Sequence, residues 1–298
     1  MRITCALKTV QIGRAEGPQG HAVAVGVDAG RLFSLGEITL DELFQLPIGA
    51  VKTLLDGAAS ATPLDGFRLL KPIDLQEVWA AGVTYQRSLE ARVEETMSPD
   101  PYERVYRAAR PELFFKATPD RVRGPGEAVR IRADSAWDVP EPELAVVCTS
   151  SLEVIGYTIG NDMSSRSIEG ENTLYLPQAK VYDGSCALGP TIVPAWTFDP
   201  RDRSITLEVH RGDQSPFVAS TTTAAMRRTI PDLLEYLGRA NRFPHGVILL
   251  TGTGIVPPET FTLHPGDEVV IRIDGLGELR NPVERHQYMT APADTLMS

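Results

Sequence analysis

In the stretch DVPEPELAVV, residues 138 to 147, Glu141 and Glu143 stand one residue apart and lead directly into an apolar run. On a strand, residues i and i+2 share a face, so the two carboxylates would repel each other, and burying them unpaired is costly. Either they face water at a solvated strand end, or positive charge sits between them. A third carboxylate, Asp162, ends the apolar stretch GYTIGND. Placed on an adjacent strand it could complete a facial set of three oxygens. Such hard ligands suit Mg²⁺, Mn²⁺ or Ca²⁺ and leave positions for water or substrate. Pro140 and Pro142 flank Glu141. Proline gives no donor to a sheet ladder, which predicts an edge strand or a bulge at this point. Lys180 lies in NTLYLPQAKVYDGSCALGP, a stretch of turn residues, where it reads as a loop lysine or as a working amine.

These residues need strands to hold them. LFFKA, AVRIRAD, ELAVVCT and EVIGYTIG, then ITLEVHRG, FVASTTT, VILLTGT and EVVIRIDGLGEL, read as short strands between Gly, Pro and Asp. TIPDLLEYLGRAN predicts a helix capped by Thr229, with Pro231 in its first turn and an end at Asn241 or Gly246. Towards the N-terminus, HAVAVGVDAGRLFSLG predicts two strands around a turn at Asp28-Ala29-Gly30. Helical spacing divided by Pro47 follows. SLEARVEETMSPDPYERVYRAA reads as charged helix on either side of Ser98-Pro99. The expected class is α+β, mostly β. A small α+β domain over 1–70 would precede a β-roll or sandwich over 71–298.

The chain has 298 residues, 42% of them hydrophobic and 23% charged, which is an ordinary globular composition with length for a real core. A net charge of −10 argues against broad binding to nucleic acid or anionic membrane. The sequence has no run of eighteen apolar residues and no signal-peptide pattern. Cys5, Cys148 and Cys186 form neither a zinc pattern nor a disulfide framework, so a cytoplasmic setting is expected.

Taken in order, FFKAT, GPGEAVRI, EPELAVV, GYTIGNDMSSR, QAKVYDGSCALGP, LLTGTGIVP and LHPGDEVVIRIDGLGELRNPV resemble the fumarylacetoacetate hydrolase family over residues 75 to 285. The resemblance implies a mixed β-sandwich roll, a homodimer or homotetramer, and a divalent cation, Mg²⁺ first, on Glu141, Glu143 and Asp162. It places the family lysine at Lys180, a turn threonine at Thr253 and an arginine at Arg166. One feature departs. Hydrolases of the family carry N-Y-x-x-H, whereas here Thr84 precedes Tyr85 and Ser88 replaces the histidine, which puts a His-activated water in doubt. RPELFFKATPDRV, GVTYQRS and EGENTLYLPQAKVYDGSCALGP instead resemble a dehydratase branch, whose reaction takes a 2-keto-3-deoxy-pentonate to 2,5-dioxopentanoate.

For such a 2-keto acid, cation binding would polarise the ketone, ease removal of the C3 proton and stabilise the enolate. Lys180 is the expected base, with burial and a nearby cation lowering its pKa, and Glu112 the expected acid for the leaving hydroxyl. Arg87 or Arg166 could grip the anionic substrate, Thr253 could present backbone N–H groups, and Tyr85, Ser88 and Glu171 could meet its hydroxyls. Three alternatives remain at this level: C–C hydrolysis of an acylpyruvate-type diketo acid, decarboxylation of a β-keto acid, and a keto-acid sensor without turnover.

Overall fold

The computed structural model describes residues 10–58, 60–88, 90 and 100–287. Its backbone is an eleven-stranded mixed sheet that carries the site residues. Nine strands run in the order Arg31–Ser34, Ala22–Asp28, Gln11–Glu16, Cys186–Pro194, Val154–Asp162, Pro142–Cys148, Val247–Leu250, Glu77–Gly82 and Glu112–Ala117. Arg68–Leu70 and Val122–Arg123 attach beside this path. A second sheet has the order Gln214–Thr222, Ser204–Arg211, Glu268–Ile273, Gly277–Arg285 and Val129–Ile131.

The centre of the large sheet is buried on both faces, which explains why ELAVVC reads as a continuous apolar run rather than an alternation. Leu144, Val146 and Cys148 join a core with Ile205, Leu207 and Ile271 of the five-stranded sheet. Ala145 and Val147 point the other way, into a core with Leu40, Phe44 and Val51 of the N-terminal helices. Each full burial of a Leu, Val or Phe side chain contributes about 1.5–3 kcal/mol. The N-terminal strands share this sheet and this second core, and Ile12 pairs with Ile192.

The local signals locate most elements. Ala29 and Gly30 take positive φ in the turn between the strands Ala22–Asp28 and Arg31–Ser34. Pro47 separates the helices Leu40–Gln45 and Ile48–Ala58. Thr229 caps the helix Ile230–Gly238 by accepting from the Asp232 N–H. That helix stops at Gly238, earlier than expected, because Arg239 leaves helical geometry. The helix Asp100–Arg107 follows Ser98-Pro99, and the expected helix before it lies largely outside the described residues. The edge-strand expectation needs correction. The Pro142–Cys148 strand is interior, paired on both sides from Ala145 onwards, while its first residues pair only with the Val154–Asp162 strand. Pro142 is tolerated because it is the strand's first residue.

Candidate active site

Strand register assembles the site on one face. Glu143 pairs with Gly160, and one step outward the Asp162 N–H donates to the Glu141 carbonyl at 2.9 Å. Opposed residues of an antiparallel pair share a face, so Glu141, Glu143 and Asp162 converge. Their ligand oxygens all lie within 4.8 Å of one another, and all three residues are buried. On the other side, Gly82 pairs with Glu112. Gly252 follows the Val247–Leu250 strand, and its N–H donates to Glu143 Oε2 at 2.6 Å.

The two glycines keep the floor low. A Cβ on Gly82 would stand 2.0 Å from Glu112 Oε2, so the Glu112 side chain lies across the space a larger residue would fill. Gly252 has φ +92, and a Cβ there would meet Thr84 Oγ1 at 2.0 Å and the Ala81 carbonyl at 3.0 Å. A narrow cavity results, lined by Glu112, Phe114, Glu141, Asp162, Lys180 and Thr253 among others.

The opening question has a physical answer: the carboxylates are buried and positive charge sits among them. Lys180 Nζ reaches Glu141 Oε2 at 2.9 Å, Asp162 Oδ2 at 3.0 Å and Ser164 Oγ at 2.5 Å. The Phe114 ring centroid lies 5.9 Å from the same ammonium. Arg166, from the helix Arg166–Glu171, places Nη2 2.9 Å from Glu141 Oε1, and Ser164 Oγ donates to the same oxygen at 3.0 Å. Lys116 Nζ lies 2.5 Å from Asp162 Oδ1. Burial pushes the Asp162 carboxyl up, but the Lys116 and Lys180 ammonium groups outweigh it and hold the group below its usual range. Glu143 goes the other way. Burial, and then the charges of Asp162 and Glu141, raise it well above the ordinary carboxyl range.

That contrast bears on a cation. The donor set is all carboxylate oxygen, which suits a hard divalent ion. Three oxygens on one face of an ion stand about 3.0 Å apart for Mg²⁺ at about 2.1 Å and about 3.4 Å apart for Ca²⁺ at about 2.4 Å. Oxygens within 4.8 Å of one another can close onto either ion by small side-chain shifts. A positive ion would also relieve the repulsion that raises Glu143.

The remaining expected residues distribute unevenly. Ser88 and Thr253 line the cavity, and Ser88 Oγ donates to the Thr253 carbonyl. The Tyr85 ring packs against Gly254, and its buried hydroxyl has no hydrogen-bond partner among the described residues. Burial, with the Glu143 charge second, pushes that hydroxyl's pKa up. Arg166 lines the cavity but holds a carboxylate of the triad. Arg87 lies outside the cavity lining, half exposed and 3.7 Å from Glu90. Glu171 is exposed at the far end of the Arg166 helix. None of the five histidines lines the cavity. His245, for example, meets Asp41 at 2.7 Å.

Sequence reasoning missed Lys116, Ser164, Glu169 and Gly252. Lys116 carried a signal: a lysine in the apolar strand LFFKA, two residues from Phe114 and four from Glu112, on the same face. Glu169 lines the cavity 3.8 Å from Arg166 and reads in sequence as an ordinary helix carboxylate.

The sheet order, the one-faced acidic triad and the buried lysine define a class. The chain belongs to the fumarylacetoacetate hydrolase family, whose C-terminal domain description, "Fumarylacetoacetate (FAA) hydrolase C-terminal", matches residues 77–284. Within it, the chain is 51% identical over 213 residues to a Haloferax volcanii protein named "Probable 2-keto-3-deoxyxylonate dehydratase", covering 71% of this chain and 73% of that one. It is 45% identical over 232 residues to the 2-dehydro-3-deoxy-D-arabinonate dehydratase of Saccharolobus solfataricus, covering 76% and 78%. A solved structure of 2-keto-3-deoxy-D-arabinonate dehydratase complexed with magnesium and 2,5-dioxopentanoate superimposes with a TM-score of 0.79 at 37% identity, over 93% of this chain and all of that one.

Proposed function

We propose that this protein is a divalent-metal-dependent dehydratase that converts a 2-keto-3-deoxy-pentonate to 2,5-dioxopentanoate. The observation that carries the reading is the buried triad of Glu141, Glu143 and Asp162 beside Lys180, in a chain similar over 93% of its length to a dehydratase solved with magnesium and that product. The triad would hold the cation. A cation there supplies a Lewis acid for the two α-oxygens of a 2-keto acid and a positive charge that favours the neutral amine of Lys180.

Lys180 Nζ takes the C3 proton, steadied by Ser164 Oγ at 2.5 Å and by the flanking Phe114 ring. Glu112, across the cavity over Gly82, delivers a proton to the departing C4 hydroxyl, leaving a 5-hydroxy-3-ene keto acid. Loss of a C5 proton and return of one to C3, through the same amine and carboxyl, then gives an enol that ketonises to the 2,5-dioxo product. Removing the proton before the hydroxyl leaves suits the substrate, because C3 is acidified by the neighbouring ketone and C4 is not. Arg166 keeps Glu141 turned inwards rather than meeting the substrate alone. Thr253 and Ser88 are the neutral contacts available to a sugar-derived chain, and Tyr85, buried outside the cavity lining, would reach it only through a rearrangement. Arg87 and Glu171 would take part only through a rearrangement that brings them to the cavity.

Hydrolysis of a diketo acid needs an activated water, and no imidazole lines this cavity to make one. The test incubates the protein and Mg²⁺ separately with a 2-keto-3-deoxy-pentonate, an acylpyruvate and oxaloacetate. Semialdehyde formation from the first alone supports the reading. Loss of diketone absorbance or release of CO₂ as the main activity overturns it, and binding without turnover points to a sensor.

The same reading extends to assembly and setting. A homodimer or homotetramer in the cytoplasm is proposed, with the small-unit boundary near residue 70. Cys148 and Cys186 support a reducing setting, since both are buried free thiols whose pKa burial pushes up to about 12. No helix among the described residues is long and apolar enough to cross a membrane. Sedimentation equilibrium tests the assembly, and a monomer at micromolar concentration contradicts it.

A further inference from the structure

Lys116 is fully buried on the last strand of the large sheet and does not line the cavity. A buried ammonium is costly unless each of its N–H groups finds an acceptor. Lys116 Nζ forms an ion pair with Asp162 Oδ1 at 2.5 Å and donates to the Met163 carbonyl at 3.0 Å and the Lys180 carbonyl at 2.5 Å. The first partner belongs to the acidic triad, the second to the residue after it, and the third to the backbone of the catalytic lysine. The ammonium thereby ties the end of the Val154–Asp162 strand to the last residue of the helix Leu176–Lys180. With Oδ1 paired to Lys116, Asp162 Oδ2 meets Lys180 Nζ at 3.0 Å.

We infer that Lys116 is a positioning residue that fixes Asp162 for the cation and Lys180 for the proton transfer at once. The inference rests on the triad being a cation site but not on the identity of the substrate. A second explanation, that Lys116 only balances the charge of the carboxylates, predicts the opposite sign. Removing a positive charge beside a cation site strengthens cation binding, whereas removing the group that orients a ligand weakens it.

Two variants are compared with the wild type by calorimetric titration of the metal-free protein with Mn²⁺, and by kcat and KM at saturating Mg²⁺. Lys116→Met keeps the stem and removes every donor. Lys116→Gln restores neutral donors without charge. A control, Lys71→Met, removes a lysine that donates to the Pro119 and Val122 carbonyls away from the site. The expected result for Lys116→Met is Mn²⁺ affinity lower by about 10–100-fold. Its kcat falls while KM moves little, Lys116→Gln recovers part of both losses, and Lys71→Met changes neither. Mn²⁺ binding that is unchanged or tighter in Lys116→Met overturns the inference. Should that variant fail to fold, Lys116→Gln decides alone: weaker Mn²⁺ binding supports positioning, and wild-type or tighter binding overturns it. Wild-type protein that binds Mn²⁺ but dehydrates no 2-keto-3-deoxy acid would sink the proposed substrate and leave this inference standing.

Discussion

Replacing Glu143 by Gln keeps the side chain's size and removes a carboxyl whose ionisation is opposed by burial and by a cluster whose ligand oxygens lie within 4.8 Å of one another. At an effective dielectric of 20, two unit charges at that distance repel by about 3.5 kcal/mol. Burial, and then the charges of Asp162 and Glu141, oppose an ionised Glu143, and the Lys180 ammonium offsets part of this, so the cost is about that of one such pair. The metal-free Gln variant should therefore be more stable than metal-free wild type by about 3 kcal/mol, or roughly 6 °C in Tm at about 2 °C per kcal/mol. Magnesium reverses the order. At about 100 times its Kd, a ligand stabilises by about 2.7 kcal/mol, so wild type should gain roughly 5 °C. The variant, with two carboxylate ligands left, should gain almost nothing and show no metal-dependent turnover. Differential scanning calorimetry with EDTA and with Mg²⁺ reads all four states. A metal-free variant that melts below wild type, or one that Mg²⁺ stabilises as strongly as wild type, refutes the reasoning.

Lys180→Met should lower kcat by about 10²–10⁴-fold, the usual worth of a positioned acid–base group. Mn²⁺ binding should survive, since the lysine competes with a cation for Glu141 and Asp162. An unchanged rate at saturating Mg²⁺ would move the base to another group. Asp138, buried with Oδ1 unpartnered among the described residues, is raised from 3.8 to about 6 by burial, which outweighs the Ser135 hydrogen bond and the Arg285 charge. A carboxyl raised on folding contributes stability that is fully present below pH 3.8 and is lost as pH rises through 6. Asp138→Asn should thus stabilise the protein by about 3 kcal/mol at pH 7.5 and by almost nothing at pH 3.5, read from urea midpoints at both pH values. Equal effects at the two pH values would refute that origin.

How far the sequence carried depended on the range of each signal. Thr229, Pro47 and the Asp28-Ala29-Gly30 turn act through their own neighbours, and each sits at the boundary it predicts. Pro140 and Pro142 misled about the strand's place, because a first-residue proline is compatible with an interior strand and only the pairing partners distinguish the two. Glu141, Glu143 and Asp162 could be grouped because an i, i+2 pair and a strand end are local facts. That Lys116, 46 residues before Asp162, completes the cluster depends on a sheet order that brings an end strand's lysine to the site, and no local periodicity encodes it. Arg166 was visible as a charge after Asn161-Asp162, yet its commitment to Glu141 depends on where a short helix begins.

The account stands on one cation held by three carboxylates and used for dehydration. The direct test strips the protein with EDTA, titrates it with Mg²⁺, and follows 2,5-dioxopentanoate formed from a 2-keto-3-deoxy-pentonate. The prediction is no product without metal and full activity restored at one bound ion per chain. Product formed at the full rate by metal-free protein, or none at saturating Mg²⁺, contradicts it.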